Sequence, residues 1–316
     1  MQAIGIDMSK DTFHAAFDER FVSKFMNTEA GIDEFLGELR SWDILRRDAT
    51  IGVEATGAYH LLFASRLFAR NLRVVVINPI ESHRMIAQGL RKVKTDRTDA
   101  IAIRKAVEAG MGHPFSDTPE ILALKALVVE RAALVELRRM TKQRRHVHDV
   151  KARATGLPLY DSTSALLKTL AQEIKTIERQ LLLYAPDTQE LLRSIPGVGI
   201  TTAAALVAFI GDVHRFSSPE KLVAYIGLDC RVFESGTSIR GKGYLTKRGN
   251  SYLRHILFSA AFIARRHNPL LKAYFEKKRR EGKHYFSALC AIERKLVHLI
   301  YAVWRRGTPY VKTPKT

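Results

Sequence analysis

Cysteine is almost absent from this chain of 316 residues, which holds only Cys230 and Cys290. Two thiols so far apart build neither a disulfide framework nor a metal knuckle, so a reducing compartment is the simplest expectation. Long apolar runs are missing as well. The longest, Ala203 to Ile210, falls far short of the ~20 residues that a membrane-spanning helix needs. The first residues, Met1-Gln2-Ala3-Ile4-Gly5-Ile6-Asp7, carry no basic leader and meet an acid at once, unlike a signal peptide. A soluble, cytoplasmic protein with no membrane partner is expected.

Acidic residues are scarce in one region only. Residues 193–316 hold 23 Lys and Arg against 7 Asp and Glu, so nearly all of the net charge of +19 lies there. Residues 1–115 (16 against 15) and 116–192 (12 against 10) are close to balanced. Basic groups that neutralise phosphates release counterions, so a polyanion is the natural partner. An anionic membrane surface is the rival. It would need an amphipathic helix with one broad apolar face, whereas these charges are spread over turns and short elements. Nucleic acid is favoured, and association with the nucleoid follows if the partner is DNA.

Residues 1–115 alternate strand and helix signals. Ala3 to Ile6 is a short apolar run ending at Asp7. Thr12 to Phe17 and Arg20 to Phe25 read as two strands joined at Asp18-Glu19. Glu29 to Leu39 has helical spacing, and Thr50 to Val53 reads as a buried strand ending at Glu54. A helix through Arg70, a strand over Leu72–Ile77, a helix after Pro79 and a helix over Asp96–Ala109 complete the series. A hairpin continued by parallel crossovers is the α/β, ribonuclease-H-like arrangement.

Residues 116–190 read as long helices broken at Gly156-Leu157-Pro158. Leu167, Leu170, Ile174, Ile177, Leu181 and Tyr184 form a heptad seam. An antiparallel helical hairpin, a dimerising coiled coil or a bundle packed on the rest of the chain would each use it. Residues 191–316 read as mainly helical, with glycine-rich interruptions. The three expected domains are therefore 1–115, 116–190 and 191–316.

The acids carry the chemistry. Asp7 and Glu54 stand at strand ends, and Asp96 and Asp99 share one face at a helix start. Converging carboxylates repel unless a cation sits among them, and hard oxygen ligands suit Mg2+ or Mn2+. Two such ions can hold the attacking and leaving oxygens of a phosphodiester. Lys94 and Arg97 would hold the strand being cut. Taken singly, each acid is better explained as a turn or cap residue, and Asp96 as an N-cap; it is their combination that points to chemistry.

Three blocks together are specific: Gly5-Ile6-Asp7-Met8-Ser9-Lys10, Val53-Glu54-Ala55-Thr56-Gly57 and Lys94-Thr95-Asp96-Arg97-Thr98-Asp99-Ala100. They resemble the DEDD signature of transposases of the insertion sequence 110/1111 family. Phe233 to Lys242 and Thr246 to Asn250 resemble that family's second block, so the likeness spans nearly the whole chain. It implies a RuvC-like N-terminal domain with Mg2+ on Asp7, Glu54, Asp96 and Asp99, and Ser235 as a covalent nucleophile. It further implies double-stranded DNA as substrate, an RNA guide encoded by the element, and a homodimer or homotetramer.

Read from the residues alone, Ser235 is better explained by a turn beside Gly236, with Ser238 and Ser251 as competitors; the family block reverses that balance. Arg240, Lys242, Lys247 and Arg248 would neutralise phosphate around it. Ile195-Pro196-Gly197-Val198-Gly199 looks like half of a helix-hairpin-helix, in which Gly197 and Gly199 would offer backbone amides to phosphate. A tight interhelical turn explains it equally. Lys277 to Arg280 and Arg305-Arg306 read as further phosphate contacts, and His60, His83, His255 and His298 as structural. A metal-only, junction-resolving nuclease and a non-catalytic nucleic-acid-binding protein are the rival functions.

Overall fold

A computed structural model describes residues 2–42, 49–55, 57–79, 95–231, 234–235, 239–240, 244–245 and 249–311, with the backbone alone within 230–248. The chain forms two compact units, Met1–Pro119 and Glu120–Thr316.

The first unit is a sheet with helices on both faces. Strands β1 (Gln2–Met8), β2 (Thr12–Ala16) and β3 (Val22–Met26) pair antiparallel. Strands β4 (Ala49–Glu54) and β5 (Arg73–Ile77) add in parallel beside β1, and the short β6 (His113–Pro114) closes the far edge antiparallel. The order is β3-β2-β1-β4-β5-β6. This is the hairpin-then-crossover arrangement expected of a ribonuclease-H-like fold. The helix expected after Pro79 lies outside the described residues.

Side-chain alternation in β1 assigns the two faces. Ile4, Ile6 and Met8 are buried, and Met8 pairs in register with Phe13. Phe13 in turn packs against Phe35 of α1 (Glu29–Ser41) and Phe63 of α2 (His60–Phe68). The opposite face carries Ala3, Gly5 and Asp7, and it is covered by α3 (Asp96–Glu108). Ala3, Val75 and Ile77 there meet Ile103, Ala106 and Val107 of that helix.

The second unit is helical apart from paired two-residue strands. Helix α4 (Pro119–Thr155) has 37 residues and is therefore ~55 Å long. Helix α5 (Thr163–Leu181) turns back along it. Arg131 bonds Glu178, Arg144 reaches Ser162 and His148 bonds the Tyr160 carbonyl, an antiparallel register. Leu170, Ile174, Ile177 and Leu181 of the heptad seam are buried within this unit, and Ile177 and Leu181 join its main core. Helices α6 (Pro186–Arg193), α7 (Ile200–Ile210), α8 (Pro219–Ile226), α9 (Ser251–His267), α10 (Pro269–Arg280) and α11 (Tyr285–Arg306) build the rest. Among the described residues no helix is long and apolar enough to cross a membrane.

Candidate active site

Two glycines position the first carboxylates. A Cβ on Gly5 would lie 2.1 Å from the Ala100 carbonyl oxygen and 2.2 Å from the Arg104 nitrogen, so the backbone of α3 rests directly on β1. A Cβ on Gly52 would meet Val107 of the same helix at 2.2 Å. Asp7 and Glu54 lie two residues beyond these glycines, on the same face of their strands. The parallel strands pair Ile6 with Val53, so the two acids emerge side by side at the C-terminal edge. Both are partly buried.

Helix α3 begins at this edge. Thr95 caps it: its hydroxyl accepts from the Thr98 amide, while the Thr98 hydroxyl accepts from the Thr95 amide. The cap is thus Thr95, correcting the alternative that assigned it to Asp96. Both Asp96 and Asp99 fall in the first turn, where the helix dipole favours negative charge.

His14, which the sequence reading passed over, stands opposite Asp7 in the β1–β2 register, and its Nδ1 lies 3.7 Å from Asp96 Oδ2. The short Ser9–Asp11 turn sets that pairing. Ser9 Oγ closes it on the Thr12 carbonyl at 2.6 Å.

Asp99 Oδ1 is buried and has no hydrogen-bond partner. An unsatisfied carboxylate oxygen is costly, and it is the kind of atom a cation would satisfy. Among the described residues no three acidic, imidazole or thiol groups already form a cage for an ion. Mg2+ commonly takes one or two carboxylates and keeps waters, so it does not require such a cage.

The other expected contacts are distributed differently. Arg97 donates to the Arg20 carbonyl, tying α3 to the β2–β3 turn, where the Asp18 carboxylate accepts from two backbone amides. Those two bonds hold its pKa below the usual carboxylate range. Lys94, Lys242, Lys247 and Arg248 lie outside the described residues.

Ser235 and Arg240 fall on two paired strands, β8 (Glu234–Ser235) and β9 (Ile239–Arg240), between β7 (Cys230–Arg231) and β10 (Tyr244–Leu245). Gly197 has φ +96°, and a Cβ there would strike the Ala260 carbonyl and Ala264 of α9, so its missing side chain serves packing. Gly199, at the start of α7, faces open space. Arg305 donates to the Phe216 carbonyl and contacts Tyr301, a structural use; in the Lys277–Arg280 run, Lys278 pairs with Glu281 at 2.7 Å.

Residues 4–148 match the family model of the IS110 DEDD transposase, and residues 189–276 match that of the transposase IS116/IS110/IS902 family. A pilin gene-inverting protein of Moraxella lacunata is 28% identical over 98% of this chain and 97% of its own length. The transposase for insertion sequence element IS1111A of Coxiella burnetii is 25% identical over 98% of this chain and 91% of its own. Among solved structures, T. thermophilus RuvC in complex with Holliday junction substrate is matched over 35% of this chain and 98% of that one. Its identity is 15% and its TM-score 0.25, a likeness too loose to carry an argument. Two family models from one lineage, with relatives aligned from end to end, converge on one assignment: the chain belongs to the IS110/IS1111 family of transposases, enzymes of DNA recombination.

Proposed function

We propose that the protein cuts and rejoins double-stranded DNA at the ends of a mobile element and at a target site, with Ser235 as the covalent nucleophile. The relatives named for gene inversion and for transposition share one chemical need, which is breaking and remaking phosphodiesters. In the first step the Ser235 oxygen attacks phosphorus and loses its proton to solvent. The bond to the departing deoxyribose oxygen breaks, and that oxygen takes up a proton. In the second step a deoxyribose hydroxyl of another strand attacks the phosphoserine phosphorus and loses its proton to solvent; the bond from phosphorus to the Ser235 oxygen breaks, and that oxygen takes up a proton. One ester replaces another, so no external energy source is needed.

Asp7, Glu54, Asp96 and Asp99 would hold Mg2+ or Mn2+, which when bound supplies charge neutralisation at the reacting phosphate. The observation that carries this reading is Asp99 Oδ1, a buried carboxylate oxygen without a partner in the acidic edge. His14 stands beside this edge, its Nδ1 3.7 Å from Asp96 Oδ2. The family resemblance adds a guide RNA and a homodimer or homotetramer to the proposal. Arg240, Lys242, Lys247, Arg248 and the open Gly199 turn would contact phosphate.

End joining in cells, with protein–DNA adducts probed after denaturation, tests the reading. Wild type gives joined ends and an adduct, while Asp7→Ala and Ser235→Ala lose both. Joining that persists in Ser235→Ala and vanishes in Asp7→Ala assigns the chemistry to a metal-only nuclease. Joining undiminished in Asp7→Ala leaves a non-catalytic binding protein.

A further inference from the structure

Gly227 and Gly249, which flank the Ser235-bearing stretch of sequence, meet at one narrow point built from described residues. Helix α8 ends at Gly227, which has φ +83°. A Cβ there would lie 2.5 Å from the Gly249 nitrogen. A Cβ on Gly249 would lie 2.2 Å from the Tyr225 oxygen and 2.4 Å from the Ile226 oxygen. The outgoing and returning backbones therefore touch with no room for a side chain on either. Asn250 follows at once and caps α9, accepting from the amides of Tyr252 and Leu253 at 2.9 and 3.1 Å. The Gly-Asn pair of the second family block thus has a mechanical reason of its own.

One side chain bridges this neck. Arg254 Nη1 donates to the Ile226 carbonyl at 3.1 Å and to the Gly249 carbonyl at 2.7 Å, one on each limb. A guanidinium is a rigid donor that stays charged, so it suits two fixed carbonyls better than a flexible ammonium does. We propose that Arg254 is a positioning residue for the serine-bearing segment: its guanidinium pins the outgoing and returning limbs together and so fixes where Ser235 is presented to the phosphate. This rests on Ser235 being the nucleophile.

Glu293 of α11 is only 2% exposed, its Oε1 has no hydrogen-bond partner, and Arg254 is the cation whose field reaches it. The field of that arginine partly offsets the cost that burial puts on ionising Glu293. Misplacing a reacting group by about 1 Å can cost ~100-fold in rate even when the perturbed residue lies away from the chemistry.

The test uses the full chain with wild type, Arg254→Ala, Arg254→Lys and Ser235→Ala. End joining and adduct formation are measured in cells, and binding to element-end duplex and thermal unfolding on the purified proteins. Arg254→Ala is expected to lower joining and adduct by about 10- to 100-fold, the range set by losing two charge-assisted hydrogen bonds. DNA binding should stay near wild type, and the unfolding midpoint should fall by roughly 5–10 °C with the protein still folded at the assay temperature. Arg254→Lys, which keeps the charge and can reach one carbonyl, should recover part of the loss, and it carries the test if the alanine variant does not fold.

Wild-type joining in Arg254→Ala overturns the inference while the serine reading stands, provided Ser235→Ala is dead. Parallel loss of joining, binding and folding in both Arg254 variants also overturns it, since that marks a purely structural arginine. Wild-type joining in Ser235→Ala sinks the serine reading first, and this inference with it.

Discussion

Replacing Glu293 by glutamine should change how stability depends on pH, and the size of the change follows from where that carboxyl sits. It is 2% exposed in the core of the helical unit, and burial pushes its pKa from the ordinary 4.5 up to about 8 despite the Arg254 charge. A carboxyl whose folded pKa is raised holds its proton in the native protein at pH values where the unfolded chain has released it. Its stabilising effect is complete below the unfolded pKa and is lost as pH rises through the folded one. Each pKa unit corresponds to about 1.4 kcal/mol, so linkage over this interval gives a loss of about 3.5 kcal/mol between about pH 5 and about pH 8. For a unit of this size, each kcal/mol moves the unfolding midpoint by roughly 2–4 °C, so the fall is on the order of 10 °C.

Glutamine keeps the shape without the ionisation. Glu293→Gln should match wild type near pH 5, exceed it near pH 8, and flatten the slope between. Thermal unfolding followed by circular dichroism, run on both proteins across that range, measures the difference, and every other titrating group cancels in the comparison. Equal slopes, or a glutamine variant less stable than wild type at about pH 8, would refute the reasoning.

Three further predictions follow from the acidic edge. Gly5→Ala should cost several kcal/mol, because the new methyl meets the α3 backbone at 2.1 Å and no flexible side chain can yield; an alanine variant with a wild-type midpoint contradicts the assigned contact. Thr95→Ala should lose about 1 kcal/mol through the capping box and lower end joining as the first turn of α3 loosens, which paired stability and joining assays would read. Asp99→Asn should abolish joining while leaving the unfolding midpoint near wild type, since the amide keeps the shape of a side chain whose Oδ1 has no hydrogen-bond partner to lose.

Much of the acidic edge was legible beforehand because it obeys local rules. Gly5 and Gly52 each stand two residues before an acid in a β-branched, apolar strand, and period-two alternation carries the acid to the glycine's face. Asp96 and Asp99 share a helix face by spacing alone, although the threonine before them took the cap. The short hairpin at Ser9–Asp11 contained enough to pair Asp7 with His14, had the register been counted across it. Strand β6 was not legible: His113–Pro114 has neither alternation nor length, and β5 alone makes it a strand.

The helical unit was harder to read. The heptad seam is real as a pattern, yet period alone does not distinguish a partner chain from the neighbouring helices that bury it here. Arg254 carried no signal, because its role depends on two carbonyls brought together from residues 226 and 249. Glu293 did carry one. It sits on the stripe of Leu289, Leu296 and Ile300, where helical spacing puts a residue inward whatever its charge.

The most direct test of the central claim is the covalent adduct itself. Element-end DNA is incubated with purified full-length protein, Mg2+ and the element's RNA, the mixture is denatured and proteolysed, and the DNA-linked peptide is sequenced by mass spectrometry. The account predicts a phosphodiester to Ser235, absent from Ser235→Ala and from Asp7→Ala. Recombined DNA formed with no such peptide, or with the link on Ser238 or Ser251, would contradict it.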